Sequence, residues 1–130
     1  MASDEHVALL MQGVATWNEW RLNNSDTRPN LSGANLSKAN LNEANLFWAN
    51  LNEANLFWAS LNEANLSGAN LSCANLEGAN LGGASLNEAN LSGADLQAAI
   101  LVDANLVNAD LTGCRVYGIS AVRRQRGNVP

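Results

Sequence analysis

Residues 40–59 read NLNEANLFWANLNEANLFWA, one ten-residue block written twice. Inside each block is a shorter unit, Ala-Asn-Leu-x-x, and that unit runs far beyond the blocks. Leu returns at every fifth residue from Leu31 to Leu111, 17 positions without a break. Ala holds its own five-residue series from Ala34 to Ala109, 16 positions long. The residue before Leu is Asn at 12 of the 17 places, and Ser60, Ser85, Asp95, Ile100 and Asp110 fill the rest. So strict a pattern over most of the chain makes repetition the first fact to explain.

A period of five suits neither common element. Five residues of α-helix rotate by roughly 500°, so successive Leu would wander around the whole surface. In a straight strand, side chains alternate faces, and an odd spacing sends successive Leu to opposite sides. Recurrent Asn also disfavours helix. The pattern becomes consistent if the chain bends once per five residues. Every Leu and every Ala then points to a common axis, and the path is a coil of short β-like sides joined by tight turns. Asn on the outside can satisfy the backbone groups of those turns.

On these residues the chain resembles the pentapeptide-repeat family, from Asn30 to about Ser120. The resemblance implies an all-β solenoid, a right-handed quadrilateral parallel β-helix with twenty residues per coil. About four to five coils are expected here. Leu is then the central inward residue of each side and Ala the second, and the two residues after Leu face outward. Four sides per coil is implied by the resemblance; the period alone leaves the number open. The Leu ladder is the expected stabiliser, each buried side chain contributing about 1.5–3 kcal/mol.

A solenoid needs covered ends. Residues 1–28 are expected to supply an N-terminal capping α-helix and connector, 29–121 the β-helix, and 122–130 a short basic tail. Over residues 3 to 22 the spacing predicts one amphipathic helix, with Ser3 as N-cap and Asp4 and Glu5 in its first turn. Val7, Leu10, Val14 and Trp17 share a face that Met11 and Trp20 widen. Pro29 marks entry to the coil. The segment TWNEWR at 16–21 resembles a leader that precedes the repeats in the family. Toward the C-terminus the central Leu gives way to Val116 and Ala to Cys114 and Ile119, Tyr117 and Val122 add bulk, and the larger residues are expected to seal or broaden the last coil. GISA at 118–121 resembles the C-terminal ends through which some family members dimerise. A monomer is expected here rather than a C-terminal dimer.

The 130 residues carry a net charge of −5, with 2 Cys and 1 His. No apolar run is long enough for a transmembrane helix, and the acidic start MASDEHVALL is not a secretory signal. A cytoplasmic protein is expected. One His and two Cys leave no donor set for most metal sites. His6 is expected to be exposed near the helix start, Cys73 outward and Cys114 inward at an Ala position. No nucleophile–base pair and no phosphate loop is present, so neither an enzyme nor a cofactor is expected.

Outward residues twenty apart should stack. Glu43, Glu63 and Asp103 then form one column, interrupted by Gly83. Phe47-Trp48 and Phe57-Trp58 are ten apart, half a coil, and look away from each other. Lys38 would stack one coil from Trp58 in a cation–π contact. Exposed Phe and Trp of this kind are candidate contacts for an unidentified protein partner, together with the acidic column. The alternative is rings packed on neighbouring Asn and Gly. Residues 30–113 sum to −7, which repels nucleic acid. No direct nucleic-acid or membrane binding is expected. A protein-interaction or scaffold module is the leading reading. The resemblance also implies a second one, a DNA mimic that binds DNA gyrase. Its charge is in keeping, but the mostly neutral Asn ladder and short array depart from those relatives. The resemblance further implies a cyanobacterial type of protein.

Overall fold

The computed structural model describes residues 1–120. The basic tail expected at 122–130 lies outside the described residues.

The bend required by the period is a tight turn over each Leu-x-x-Ala. The Ala amide donates to the Leu carbonyl three residues back, as from Ala54 to Leu51 at 3.0 Å. The residue before Ala has positive φ in every one of these turns, whether Gly68 at 67° or Glu53 at 61°. Asn closes the turn from outside. All twelve Asn before a Leu, and both Asp, accept the amide two residues on at 2.9–3.2 Å. Where Ser60 stands instead, the Asn62 amide donates to Asn42 Oδ1 one coil away, at 2.8 Å.

Neighbouring coils pair in parallel, twenty residues apart, from Asn30 with Asn50 to Ile100 with Ser120. Twenty residues at five per side make four sides, so the pairing supplies the number that the period left open. The chain is a right-handed quadrilateral β-helix. Its first face carries Leu31, Leu51, Leu71, Leu91 and Leu111; the second begins at Leu36, the third at Leu41 and the fourth at Leu46. The sides repeat the same three interstrand bonds: Leu51 N–H to Asn70 O at 2.7 Å, Glu53 N–H to Ser72 O at 2.9 Å, and Asn70 N–H to Ala49 O at 2.9 Å. Leu31 to Leu101 are all buried, with Ala between them.

The expected single helix is two. Helix α1 spans Asp4–Met11 and α2 spans Val14–Asn23. The apolar spacing runs through the junction, which hid the break, but Gly13 sits at φ 122°, outside any helix. Ser3 caps α1 as expected, accepting the His6 amide at 3.3 Å. Leu10 and Trp17 are buried in the cap, Trp20 is half-buried, and Met11 is exposed.

The cap holds the first coil by bonding its open edge. Trp17 Nε1 donates to Asn45 O at 2.7 Å, and Asn18 exchanges two bonds with Glu43 O and the Asn45 amide. Arg21, only 2% exposed, donates to Asn24 O, Thr27 O and Phe47 O, while its Nε is buried without a partner. Burial lowers the pKa of this guanidinium from its ordinary value. His6, expected to be exposed, is half-buried against Trp20, and its Nδ1 accepts the Asn30 amide at 2.9 Å. Its ring completes the edge that α1 covers, a role only the tertiary arrangement creates.

Candidate partner-binding faces

The two outward residues of each turn are set by the turn itself. The first after Leu lies along the face, and the second sits in the left-handed region. Trp48 has φ 64° and Trp58 φ 55°. Such a conformation is unusual for a bulky side chain, and glycine adopts it without strain. Among the turns, Gly33, Gly68, Gly78, Gly83, Gly93, Gly113 and Gly118 do so.

Phe47 and Trp48 lie on the fourth face at the first coil. Phe57 and Trp58 lie on the second face, half a coil on, so the pairs point in opposite directions as expected. Phe47, Trp48 and Trp58 are exposed, Trp58 at 60%, and Phe57 is half-buried. Identical decapeptides thus give two different settings. Trp58 covers Gly78, where an added Cβ would lie 2.8 Å from its Cε2 and Nε1. Phe57 meets Trp58 edge-on, with centroids 6.2 Å apart. Trp48 does not cover the equivalent Gly68, around which the space is open. It turns instead toward the cap, where the Arg28 guanidinium stands 5.7 Å from its ring centroid. Arg28 Nε also donates to Trp48 O at 3.0 Å.

The expected contact of Lys38 with Trp58 is therefore replaced by Arg28 with Trp48. Sequence reasoning missed Arg28 because it belongs to the connector. The signal was present, since Arg28 precedes Trp48 by one coil, as Lys38 precedes Trp58.

Glu43, Glu63 and Asp103 share the third face, where Glu43 pairs with Asn62 and Glu63 with Gly82 through the backbone. The Glu63 carboxylate occupies the space that a Cβ on Gly83 would need. The column does not converge. Among the described residues no group of three or more His, Cys, Asp or Glu is placed to hold a metal ion. Cys73 is exposed, and Cys114 is half-buried with its thiol on Leu91 O at 2.9 Å. Burial pushes the Cys114 thiol pKa up, away from the thiolate. The aromatic pairs and the acidic column thus stand on three different faces, and what they offer is contact area, not a shared centre. No described helix is long and apolar enough to cross a membrane.

The sequence matches the family description "Pentapeptide repeats", in 8 copies, over residues 30–56, 49–87 and 89–119. No curated protein matches. Among solved structures, HetL, a pentapeptide repeat protein involved in heterocyst differentiation regulation in the cyanobacterium Nostoc sp. strain PCC 7120, is 34% identical with a TM-score of 0.51. The match covers 73% of this chain and 60% of HetL, so the chain spans less than two thirds of that protein. Rfr23 from the cyanobacterium Cyanothece 51142 is 31% identical over 83% of this chain and 99% of its own, with a TM-score of 0.31. QnrB1, a plasmid-mediated fluoroquinolone resistance protein, is 19% identical over 76% of this chain and 70% of its own, with a TM-score of 0.33.

Proposed function

Because the chain belongs to the pentapeptide-repeat family, we propose that it is a non-enzymatic protein-binding module that presents Phe47, Trp48, Phe57 and Trp58 to a protein partner. One observation carries this reading. Trp48 and Trp58 are large, exposed and held at positive φ, where glycine would relieve both the strain and the exposed apolar surface. Local contacts, Arg28 over Trp48 and Gly78 under Trp58, cover only part of each ring, and both remain exposed. Aromatic and Arg side chains are the usual anchors of protein interfaces, and Arg28 stands over Trp48.

The acidic rod, at −7 over residues 30–113, favours a basic partner surface around these anchors. Glu43, Glu63 and Asp103 would steer such a partner from the third face. The free cysteines suit a reducing compartment, and the cytoplasm is the proposed location. The DNA-mimic reading gains nothing from this geometry. Glu43, Glu63 and Asp103 form one column, and Glu53, Glu77, Glu88, Asp95 and Asp110 are spread over the other three sides, whereas duplex DNA presents two continuous phosphate strands.

The test is site-specific photo-crosslinking in cells, with the reactive group at position 48, 58 or, as a control, 108, another left-handed turn position. The reading requires a protein adduct at 48 or 58 that is missing at 108. Equal labelling at all three positions would remove its basis.

A further inference from the structure

Trp58, Asn62 and Glu63 all lie over one stripped side of the next coil. A Cβ on Gly78 would meet Cε2 and Nε1 of the Trp58 indole at 2.8 Å and Cδ2 at 3.0 Å. Cδ2 belongs to the bond the two rings share, so the indole lies with one face on the Gly78 backbone. The Glu63 carboxylate fills the same place over Gly83, and a Cβ on Gly82 would stand 2.9 Å from Asn62 Oδ1. Among the described residues, Gly82 is the one glycine without a positive φ. Its backbone does not call for glycine, but the space around it does. The side centred on Asn80, between the Gly78 turn and the Gly82-Gly83 turn, thus seats an indole, an amide and a carboxylate from the coil before it.

The indole uses only its inner face. Trp58 is 60% exposed, with Phe57 edge-on to it. Trp48 holds a cation of its own chain, Arg28, whereas among the described residues no cation stands over Trp58. Lys38 lies one coil nearer the cap, and the ring leans the other way, onto Gly78. An indole face turned to solvent attracts cations through its quadrupole. The carboxylates of Glu43, Glu63, Glu77 and Asp103 border this side, against the single ammonium of Lys38. Glu77 belongs to the turn directly under Phe57, and its carbonyl accepts the Trp58 amide at 2.9 Å.

We propose that this side is the docking surface for a basic segment of a protein partner, with one cationic side chain on the outer face of Trp58 and a second beside Glu63. The proposal rests on the protein-binding reading of the aromatic turns and names the chemistry of the partner. Charge complementarity selects the occupant. An acidic segment meets like charge along the whole side, and a neutral apolar one would bury the carboxylates without partners. In an extended segment, alternate side chains point the same way about 7 Å apart, so a cation at every second residue can line the side.

The test is fluorescence anisotropy of a dye-labelled heptapeptide of alternating Arg and Ala, titrated with the full chain at physiological ionic strength. Saturable binding is expected, and none for the same peptide with Glu in place of Arg. Trp58→Leu should weaken binding about three- to thirtyfold, with Trp58→Phe retaining part of it. Glu63→Gln should weaken it about two- to fivefold. Glu53→Gln and Glu88→Gln remove the same charge from other turns and should leave it unchanged, because screening confines the effect to nearby groups. Glu63 is exposed, so its variant reports on binding even if Trp58→Leu disturbs the coil. The proposal is overturned if the native chain does not bind the Arg peptide, if Trp58→Leu and Glu63→Gln leave the affinity unchanged, or if Glu53→Gln and Glu88→Gln weaken it as much as Glu63→Gln. A photo-crosslink to protein at position 48 alone would keep the protein-binding reading and overturn this one.

Discussion

Trp58 covers the backbone of Gly78, one coil further on, so closely that a Cβ on Gly78 would lie 2.8 Å from its indole. Gly78 also has φ 69°. Gly78→Ala should therefore suffer twice, from the left-handed backbone and from the displaced ring. Gly68→Ala, at φ 67° with open space around it, should suffer only the first. The backbone term is about 1 kcal/mol. Thermal melts of the two variants should differ in that order, and only Gly78→Ala should shift the tryptophan fluorescence.

The Asn ladder acts through one acceptor atom. Asn75 Oδ1 takes the Glu77 amide at 3.0 Å, and Asp95 does the same for Gln97. Asn75→Ala should cost about 0.5–1.5 kcal/mol, the net worth of one hydrogen bond. Asn75→Asp should keep most of it. Chemical denaturation of the two variants measures the difference.

Depth along the rod sets the cost of losing a Leu. Leu71→Ala in the fully buried middle should cost about 2–5 kcal/mol. Leu111→Ala should cost clearly less, since Leu111 is already partly exposed. Equal denaturation midpoints for the two would mean that the last coil is as tightly closed as the middle.

Asp110 gives a pH signature. The Thr112 hydroxyl and amide donate to its carboxylate and hold its pKa below the ordinary value. A depressed folded pKa means that the contribution is present above the unfolded pKa and is lost as pH falls through the folded one. Carboxyl NMR titration should find Asp110 below a free aspartate, and Thr112→Val should move it upward.

Much of this was legible in the sequence, because every repeat states the same rule. The Leu and Ala series named the inward residues, and the Asn series named the turn closers. What escaped the sequence depends on contacts between unlike segments. Gly13 breaks the cap into two helices, yet the apolar spacing on either side of it is continuous. Arg28 reaches Trp48 only because the connector lies one coil beneath it. His6 becomes a backbone acceptor only once α1 lies across Asn30. The aromatic faces were placed correctly, but two identical decapeptides gave no sign that Trp48 would turn toward the cap and Trp58 away from it.

The central claim is that the aromatic turns are kept for a partner. The most direct measurement compares proteins retained from native lysate by the intact chain and by Phe47→Ala/Trp48→Ala/Phe57→Ala/Trp58→Ala, after circular dichroism and melting show both folded. The account predicts a protein held by the intact chain and lost with the four rings. Identical sets of retained proteins would contradict it and leave the rings as surface packing on the coil.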